Sequence, residues 1–446
     1  MLNRCRLISK PLFLLIILIA GINIHPAYAT DLVEVFKLAE SNDPQFGQVA
    51  ANKRAVMEQR PQAISQLLPQ IGLTANTYWN DQKSKISSGF GTGGEFTFDT
   101  HGYNVNLTQP LFHWDRYLRL QQADSQIQQA DAELSLARQD LIVRVSTAYF
   151  DILAAINNLD FAQASKRSLQ RQLEQTKQRF EVGLTAITDV QEAQAGYDRA
   201  VAAEIQAEND IDNAKEALRE IIGEDISALP KLSTSMPLIK PEPADIDEWT
   251  NTAIKQSLSV LSAEDAVNTA RREIGIQKAG HLPSVDLVTR YGYDTTGGRF
   301  GDSTSRSAAI GVELNVPLFQ GGFVSSKTRE AQHRLEEQLE KLEQARRKAQ
   351  RDTRESYLGV ISGISQIKAL NQAVISSETA LQATQAGYEV GTRTAVDVVT
   401  SEIATFQAKR DYARARYDYI LNTLRLKLAS GLLSTDDLIQ VNQWLN

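Results

Sequence analysis

The segment RFEVGLTAITDV, residues 179–190, returns 208 residues later as the closely similar segment GYEVGTRTAVDV, residues 387–398. Each segment places a Val-Gly pair after a long stretch of helical periodicity and an Asp-Val pair before another. A glycine just past a helix is typical of a left-handed end residue, and an aspartate suits the start of the next helix. We therefore predict two helix–turn–helix tips, one in each half of an internally duplicated chain.

Each half is predicted to contain a helix, a β-hairpin, a very long helix and a further helix. The first helix runs from Asp31 to Leu68. In the first repeat, residues 30–228, the other three elements span about 69–110, 115–181 and 188–222. In the second repeat, residues 244–446, they span about 283–317, 323–389 and 396–430, followed by a C-terminal equatorial segment. The linker between the repeats, residues 229–243, holds four prolines.

The hairpin strands alternate apolar and polar side chains with a period of two, and Pro110 and Pro317 are predicted to end them. The Gly-, Ser- and Asp-rich stretches Asn80–Thr100 and Asp294–Ser305 are predicted loops. Each strand has roughly ten residues, the length that a tilted membrane strand needs. A soluble hairpin with ordinary aromatic packing would show the same alternation, so the strands alone leave both interpretations open.

The long helices carry narrow, alanine-rich apolar seams, and only 7% of the residues are aromatic while 23% are charged. This pattern predicts side-by-side helices with lateral neighbours instead of one thick core. Four strands cannot close a barrel, and an open sheet edge is not tolerated in lipid. Because the smallest bacterial membrane barrels use about eight strands, several chains must pool theirs, most simply with cyclic symmetry.

The N-terminus, residues 1–29, has the pattern of a secretory signal peptide. Three basic residues precede an apolar run from Pro11 to Ile22, and Ala27-Tyr-Ala29 fits a cleavage site. The alternative, a permanent N-terminal anchor, is disfavoured because the run is short for a membrane span. The one cysteine, Cys5, lies in this segment, so the mature chain is predicted to have no thiol.

The rest of the sequence offers no recognisable chemistry. The net charge is −7 without a basic block, which argues against a nucleic-acid partner. The five histidines show no metal-ligand spacing, and no phosphate-binding loop or nucleophile motif occurs. We therefore expect no enzyme, cofactor or metal. A periplasmic adaptor or coiled-coil structural protein is the main alternative, although that class lacks two aromatic-bearing hairpins with proline corners.

The chain resembles the TolC family of outer-membrane channel-tunnels, or outer membrane factors. The resemblance is carried by residues 179–195 and 387–398 and by both Pro-Leu-Phe corners, and it covers nearly all of the mature chain. It implies an α+β membrane protein, a homotrimer sharing one transmembrane β-barrel that continues as an α-helical barrel in the periplasm. It also implies a periplasmic adaptor and an inner-membrane RND, ABC or MFS pump as partners, with drugs or secreted proteins as cargo.

The resemblance further implies a periplasmic gate, formed here by Asp189, Tyr388, Arg393 and Gln172. An arginine offers several donors to a carboxylate, and a tyrosine offers one more, so such links are sensible and individually modest. The competing interpretation of a lone acid at a helix start is a cap. Gln385, near the gate, departs from the family pattern, which has an acid there.

At the tunnel entrance the resemblance implies a cation-binding ring made by three copies of Asp397. The family's second ring acid is replaced by Thr400, which predicts about half of the usual charge. Thr394-x-x-Asp397 also fits a capping box. Gly183 and Gly391 are expected at the turns, where the family's helix tips meet the adaptor.

Overall fold

The structure, a computed structural model, describes residues 31–85, 94–226, 229–233, 236–298 and 301–445. The predicted signal peptide and Cys5 lie outside the described residues. The strands are β1 (Gln70–Ser84), β2 (Gly94–Phe112), β3 (Ser284–Thr296) and β4 (Ser303–Asn315). The helices are α1 (Leu32–Asn42), α2 (Pro44–Met57), α3 (Gln59–Ser65), α4 (Trp114–Glu181), α5 (Ile187–Ile222), α6 (Ile246–Gln256), α7 (Leu258–Ala279), α8 (Phe323–Glu389), α9 (Ala395–Ala429) and α10 (Thr435–Asn442).

The prediction of one helix from Asp31 to Leu68 is wrong, because the segment forms α1, α2 and α3. Pro44 opens α2, where its missing N–H is harmless, but the same residue cannot continue α1. The Asp43 carboxylate accepts a hydrogen bond of 2.8 Å from the Phe46 N–H and caps α2. The break therefore has a local cause that the helical periodicity concealed.

The predicted loops are much shorter than expected. The β1–β2 ladder extends to the pair Ser84–Gly94, and the β3–β4 ladder extends to Thr296–Ser303. Antiparallel pairing satisfies the backbone groups whatever the side chains are, so polar residues and glycines were poor markers of a loop here. β2 also continues through Pro110 to Phe112, and its register with β3 shifts there, as expected for a residue without an N–H donor.

The four strands form one antiparallel sheet in the order β1-β2-β3-β4. Directly paired residues share a face, so the register divides the sheet into an apolar face and a polar face. The apolar face carries Ile71, Leu73, Trp79, Val105, Leu107, Tyr103, Leu287, Tyr291, Tyr293, Ile310, Val312 and Leu314. The polar face carries Thr74, Asn76, Asn104, Asn106, Asp286, Arg290, Ser307 and Glu313. β1 and β4 remain as unpaired edges of the described sheet.

Two helices set the length of the molecule. α4 has 68 residues and α8 has 67, so each extends about 100 Å at the α-helical rise. α4 packs against α5 and α9, and also against α2, α3 and α7. α8 packs against α9 and against α6 and α7. The shorter helices thus line the long ones.

A substantial core surrounds the middle of the long helices, so the expectation of narrow seams alone is wrong in this region. This central core joins α1, α4, α5, α6, α8, α9 and α10, and Tyr149, Phe150 and Tyr419 are fully buried within it. The linker closes over it, since the Tyr419 hydroxyl bonds both the N–H and the carbonyl of Ile239 at 2.8 Å. The sequence patterns did not reveal this core because its members come from seven separate helices.

Candidate functional site

The two predicted tips have the same backbone geometry. Gly183 and Gly391 adopt left-handed φ angles of +75° and +82°. The Leu184 N–H donates to the Arg179 carbonyl at 2.8 Å, and the Thr392 N–H donates to the Gly387 carbonyl at 2.8 Å. A Cβ on either left-handed glycine would meet nothing within 4 Å, so the φ angle and not space requires glycine.

Tyr388 is the best-connected residue of the predicted gate. It is buried at the end of α8, and its hydroxyl lies 3.2 Å from the hydroxyl of Thr176 on α4. Thr176 Oγ1 also donates to the Gln172 carbonyl at 2.8 Å, which leaves Tyr388 as the donor to Thr176. The Arg179 guanidinium stands 4.8 Å from the centre of the Tyr388 ring. This contact fastens the end of α8 to α4.

Among the described residues, none of the other predicted gate residues hydrogen-bonds the Tyr388 side chain. The Gln172 side-chain amide donates weakly to Thr176 Oγ1 at 3.5 Å. Asp189 accepts from the Thr185 hydroxyl and, at 3.4 Å, from the Ala186 N–H, so it caps α5. Arg393 is exposed. In the part of the chain that the structure describes, no hydrogen bond or ion pair links Asp189 to Tyr388 or Arg393 within one chain.

Thr176 and Arg179 contact Tyr388, although the sequence patterns did not indicate them. Thr176 is fully buried, and it occupies a position of the α4 seam where apolar residues recur. A polar residue in such a seam needs a buried partner, and that requirement was the signal available in the sequence. Arg179 stands within the quoted turn segment, but its spacing did not show that it would cover a tyrosine 209 residues away.

Asp397 caps α9 at the second tip. It accepts hydrogen bonds from the N–H and the hydroxyl of Thr394, both at 2.9 Å. These bonds, and then the nearby charge of Arg393, hold the pKa of Asp397 below its usual value. The carboxylate is therefore ionised over the physiological range, as a cation-binding ring would need. Thr400 is exposed one turn further along α9.

The apolar face of the sheet is strongly exposed. Ile71 and Ile310 expose 72% and 75% of their surface on opposite edge strands. Across the middle of this face, Tyr103 stacks on Tyr293 with ring centres 5.5 Å apart. Where the strands meet the long helices, a second group of exposed apolar residues comprises Leu111, Phe112, Trp114, Tyr117, Leu318, Phe319 and Phe323. An exposed face this large marks an interaction surface.

The sequence matches the family model described as outer membrane efflux protein over residues 35–224 and 249–432. The chain belongs to the outer membrane efflux protein family. It is 39% identical to the outer membrane protein TolC of Vibrio cholerae over 424 residues, which cover 94% of each chain. It is 29% identical to the alkaline protease secretion protein AprF of Pseudomonas aeruginosa, over 92% of this chain and 86% of that one.

The fold of this outer membrane efflux protein is also found in a solved structure. The outer membrane protein VceC from Vibrio cholerae superposes with a TM-score of 0.76 at 20% identity, covering 90% of this chain and 96% of that one. No described helix is both long and apolar enough to cross a membrane. Within residues 31–445, as far as they are described, no group of three or more His, Cys, Asp or Glu could hold a metal ion.

Proposed function

We propose that this outer membrane efflux protein is a passive, trimeric channel-tunnel that conducts drugs or secreted proteins from periplasm-spanning efflux and type I secretion complexes to the cell exterior. The two-faced sheet is the observation that carries the proposal. An exposed apolar face backed by a polar face is what lipid on one side and water on the other require of a membrane strand. Similarity to TolC and to AprF supports both efflux and protein secretion as its tasks.

The open sheet edges support an assembly of three chains. β1 and β4 each present a row of unpaired backbone groups, and such groups are costly in lipid. Pairing β4 of one chain with β1 of the next, three times over, would close a twelve-stranded barrel. The stacked helices, which reach about 100 Å beyond the sheet, would then form the wall of the periplasmic tunnel.

The first test separates the two faces of β1. Leu73→Arg puts a charge on the apolar face, whereas Thr74→Arg puts the same charge on the polar face one residue away. A charge facing the bilayer destabilises a barrel by about 2–4 kcal/mol at the midplane and by about 0–1 kcal/mol near the interfaces, so three copies of Leu73→Arg should lower the amount of folded trimer in the outer membrane. Thr74→Arg should assemble like the wild type.

Trimer in membrane fractions can be measured by its resistance to dissociation on unheated gels. Equal assembly of the two arginine variants would show that the apolar face does not meet lipid. Release of the wild-type protein by salt or carbonate would favour a periplasmic adaptor or coiled-coil protein instead.

The gate is proposed at the tips, where Tyr388 binds Thr176 and Arg179. In this scheme α8 and α9 close the tunnel while they pack on α4 and α5, and opening separates the two pairs. Asp189 at the first tip and Arg393 at the second would link neighbouring helices once the trimer forms. Docking of an adaptor at the Gly183 and Gly391 turns would break these modest links, and an RND, ABC or MFS pump would supply the energy.

A further inference from the structure

Glu402 is a buried acid that the gate described above does not use. It lies on α9, five residues past Asp397, and only 3% of its surface is exposed. A glutamate is rarely buried to this extent without a specific role or partner. Glu402 lies on α9 close to the proposed gate and faces α4. A change in its charge would therefore alter the balance between the closed and open states.

The surroundings of Glu402 form a tight three-helix contact. Leu169 of α4, Ala200 of α5 and Val399 of α9 make a buried apolar cluster, one turn from Glu402. α5 and α9 approach so closely that a Cβ on Gly196 would lie 3.0 Å from a methyl group of Val399. Water is therefore largely excluded on this side of the carboxyl group.

The polar groups that face Glu402 come from α4. The Ser168 side chain hydrogen-bonds the carboxyl group, and the Arg171 guanidinium supplies a nearby positive charge. Two ion pairs join the neighbouring helices. Lys166 of α4 pairs with Glu204 of α5 at 2.5 Å, and Glu378 of α8 pairs with Lys409 of α9 at 2.7 Å.

We infer that Glu402 is a further positioning residue of the gate, whose carboxyl group, packed against α4, closes the tunnel more firmly in acid than at neutral pH. The inference rests on the proposed opening motion, which parts α9 from α4. Glu402 would then pass from a buried site into water each time the tunnel opens.

The burial of Glu402 explains why acid should favour the closed state. Burial raises the pKa of Glu402, and the Ser168 hydrogen bond and the Arg171 charge offset this only in part. In the open state the hydrated carboxyl group regains an ordinary pKa of about 4.3. The packed state therefore binds the proton more tightly. Its extra stability is complete below the ordinary pKa and is lost as the pH rises through the raised value.

The pH dependence of the open-to-closed ratio of the channel can be measured. Each unit of difference between the two pKa values changes the open-to-closed ratio about tenfold per chain. In planar bilayers, the open-time fraction of the wild-type channel should fall at least about tenfold between about pH 7.5 and about pH 4.5. Glu402→Gln, which keeps the shape without the charge, should be at least about tenfold less open at the higher pH and nearly insensitive to pH.

Two further variants identify the contact. Arg171→Gln removes the compensating charge, so the midpoint of the pH response should move to higher pH. Asp411→Asn makes the same acid-to-amide change at an exposed position of α9, and it should keep the wild-type response. If Glu402 had a purely structural role, these substitutions could change the stability of the protein but would not shift the midpoint of the pH response.

The outcomes separate this inference from the proposed function. A conducting wild type with an unaltered pH response in Glu402→Gln overturns the role of Glu402 and leaves the channel intact. A Glu402→Gln channel that is more open at neutral pH also overturns it, because Glu402 would then act as a charged partner of Arg171. Wild-type trimers that never conduct overturn both proposals.

Discussion

Tyr388→Phe removes one hydroxyl group from the contact between α4 and α8 and leaves the aromatic ring in place. The lost interaction is the hydrogen bond of 3.2 Å to Thr176. The Arg179 guanidinium, 4.8 Å from the ring centre, can still cover a phenylalanine. The substitution therefore isolates the hydrogen bond from the packing of the ring.

The free energy lost in Tyr388→Phe depends on the hydrogen bonds that Thr176 keeps. Thr176 keeps its own bond of 2.8 Å to the Gln172 carbonyl, so its hydroxyl is not left without a partner. The loss then lies at the lower end of the range for a buried hydrogen bond, about 0.5–1 kcal/mol per chain. If three chains open together, the closed state loses about 1.5–3 kcal/mol, which raises the open-to-closed ratio roughly 10- to 150-fold.

The assay is single-channel recording of purified trimers in planar bilayers, with open-time fraction and conductance as readouts. Thr176→Val removes the same bond from the other side, so the double variant should open no more than either single variant. Tyr412→Phe, at a tyrosine of α9 near Arg416, is a matched control that should leave the channel closed. Wild-type behaviour of Tyr388→Phe, or fully additive effects with Thr176→Val, would refute the gate contact.

Two other substitutions test the entrance and the ion pair between the start of α2 and α4. Asp397→Ala should weaken block by divalent cations added from the periplasmic side, because the carboxylate ring would be lost; equal block in both proteins would remove Asp397 from the entrance. Asp43→Asn should lower the free energy of unfolding by about 1–3 kcal/mol at neutral pH, because Asn keeps the α2 cap but loses the ion pair of 2.6 Å with Arg144. Burial of Asp43 opposes its ionisation, but the bonds from Arg144 and the Phe46 N–H outweigh it and hold its pKa below the usual value. The deficit, measured by urea unfolding, should therefore shrink as the pH falls below about 4, and an undiminished deficit in acid would contradict this account.

The long helices follow closely from local patterns in the sequence, and the hairpins follow in position but not in length. α4, predicted at about 115–181, spans Trp114–Glu181, and α8, predicted at about 323–389, spans Phe323–Glu389. Sustained helical periodicity ended by a Val-Gly pair defines such elements without reference to the rest of the chain. The alternation in the hairpins likewise assigned the apolar side chains to one face before any register was known.

The two wrong predictions, of a long loop and of a single first helix, have one physical cause. Strand pairing or a single residue determines the structure there, and local composition does not show it. Asn80–Thr100 looked like a loop because it is polar, yet a partner strand holds much of it extended. Periodicity carried one helix across Pro44, where the ring and the Asp43 cap divide it. In the first place strand pairing outweighs the polar composition, and in the second the proline and the cap outweigh the helical periodicity.

By itself the sequence determined the two glycine tips, the long helices, the two-faced hairpins and the family, because each depends on residues close together along the chain. Only the tertiary structure decided that Tyr388 meets Thr176, that Glu402 is buried against α4, and that α1, α10 and the linker enclose the central core. Those contacts join residues tens to hundreds of positions apart. Their geometry depends on how helices rotate and align against one another, which spacing within a single helix does not specify.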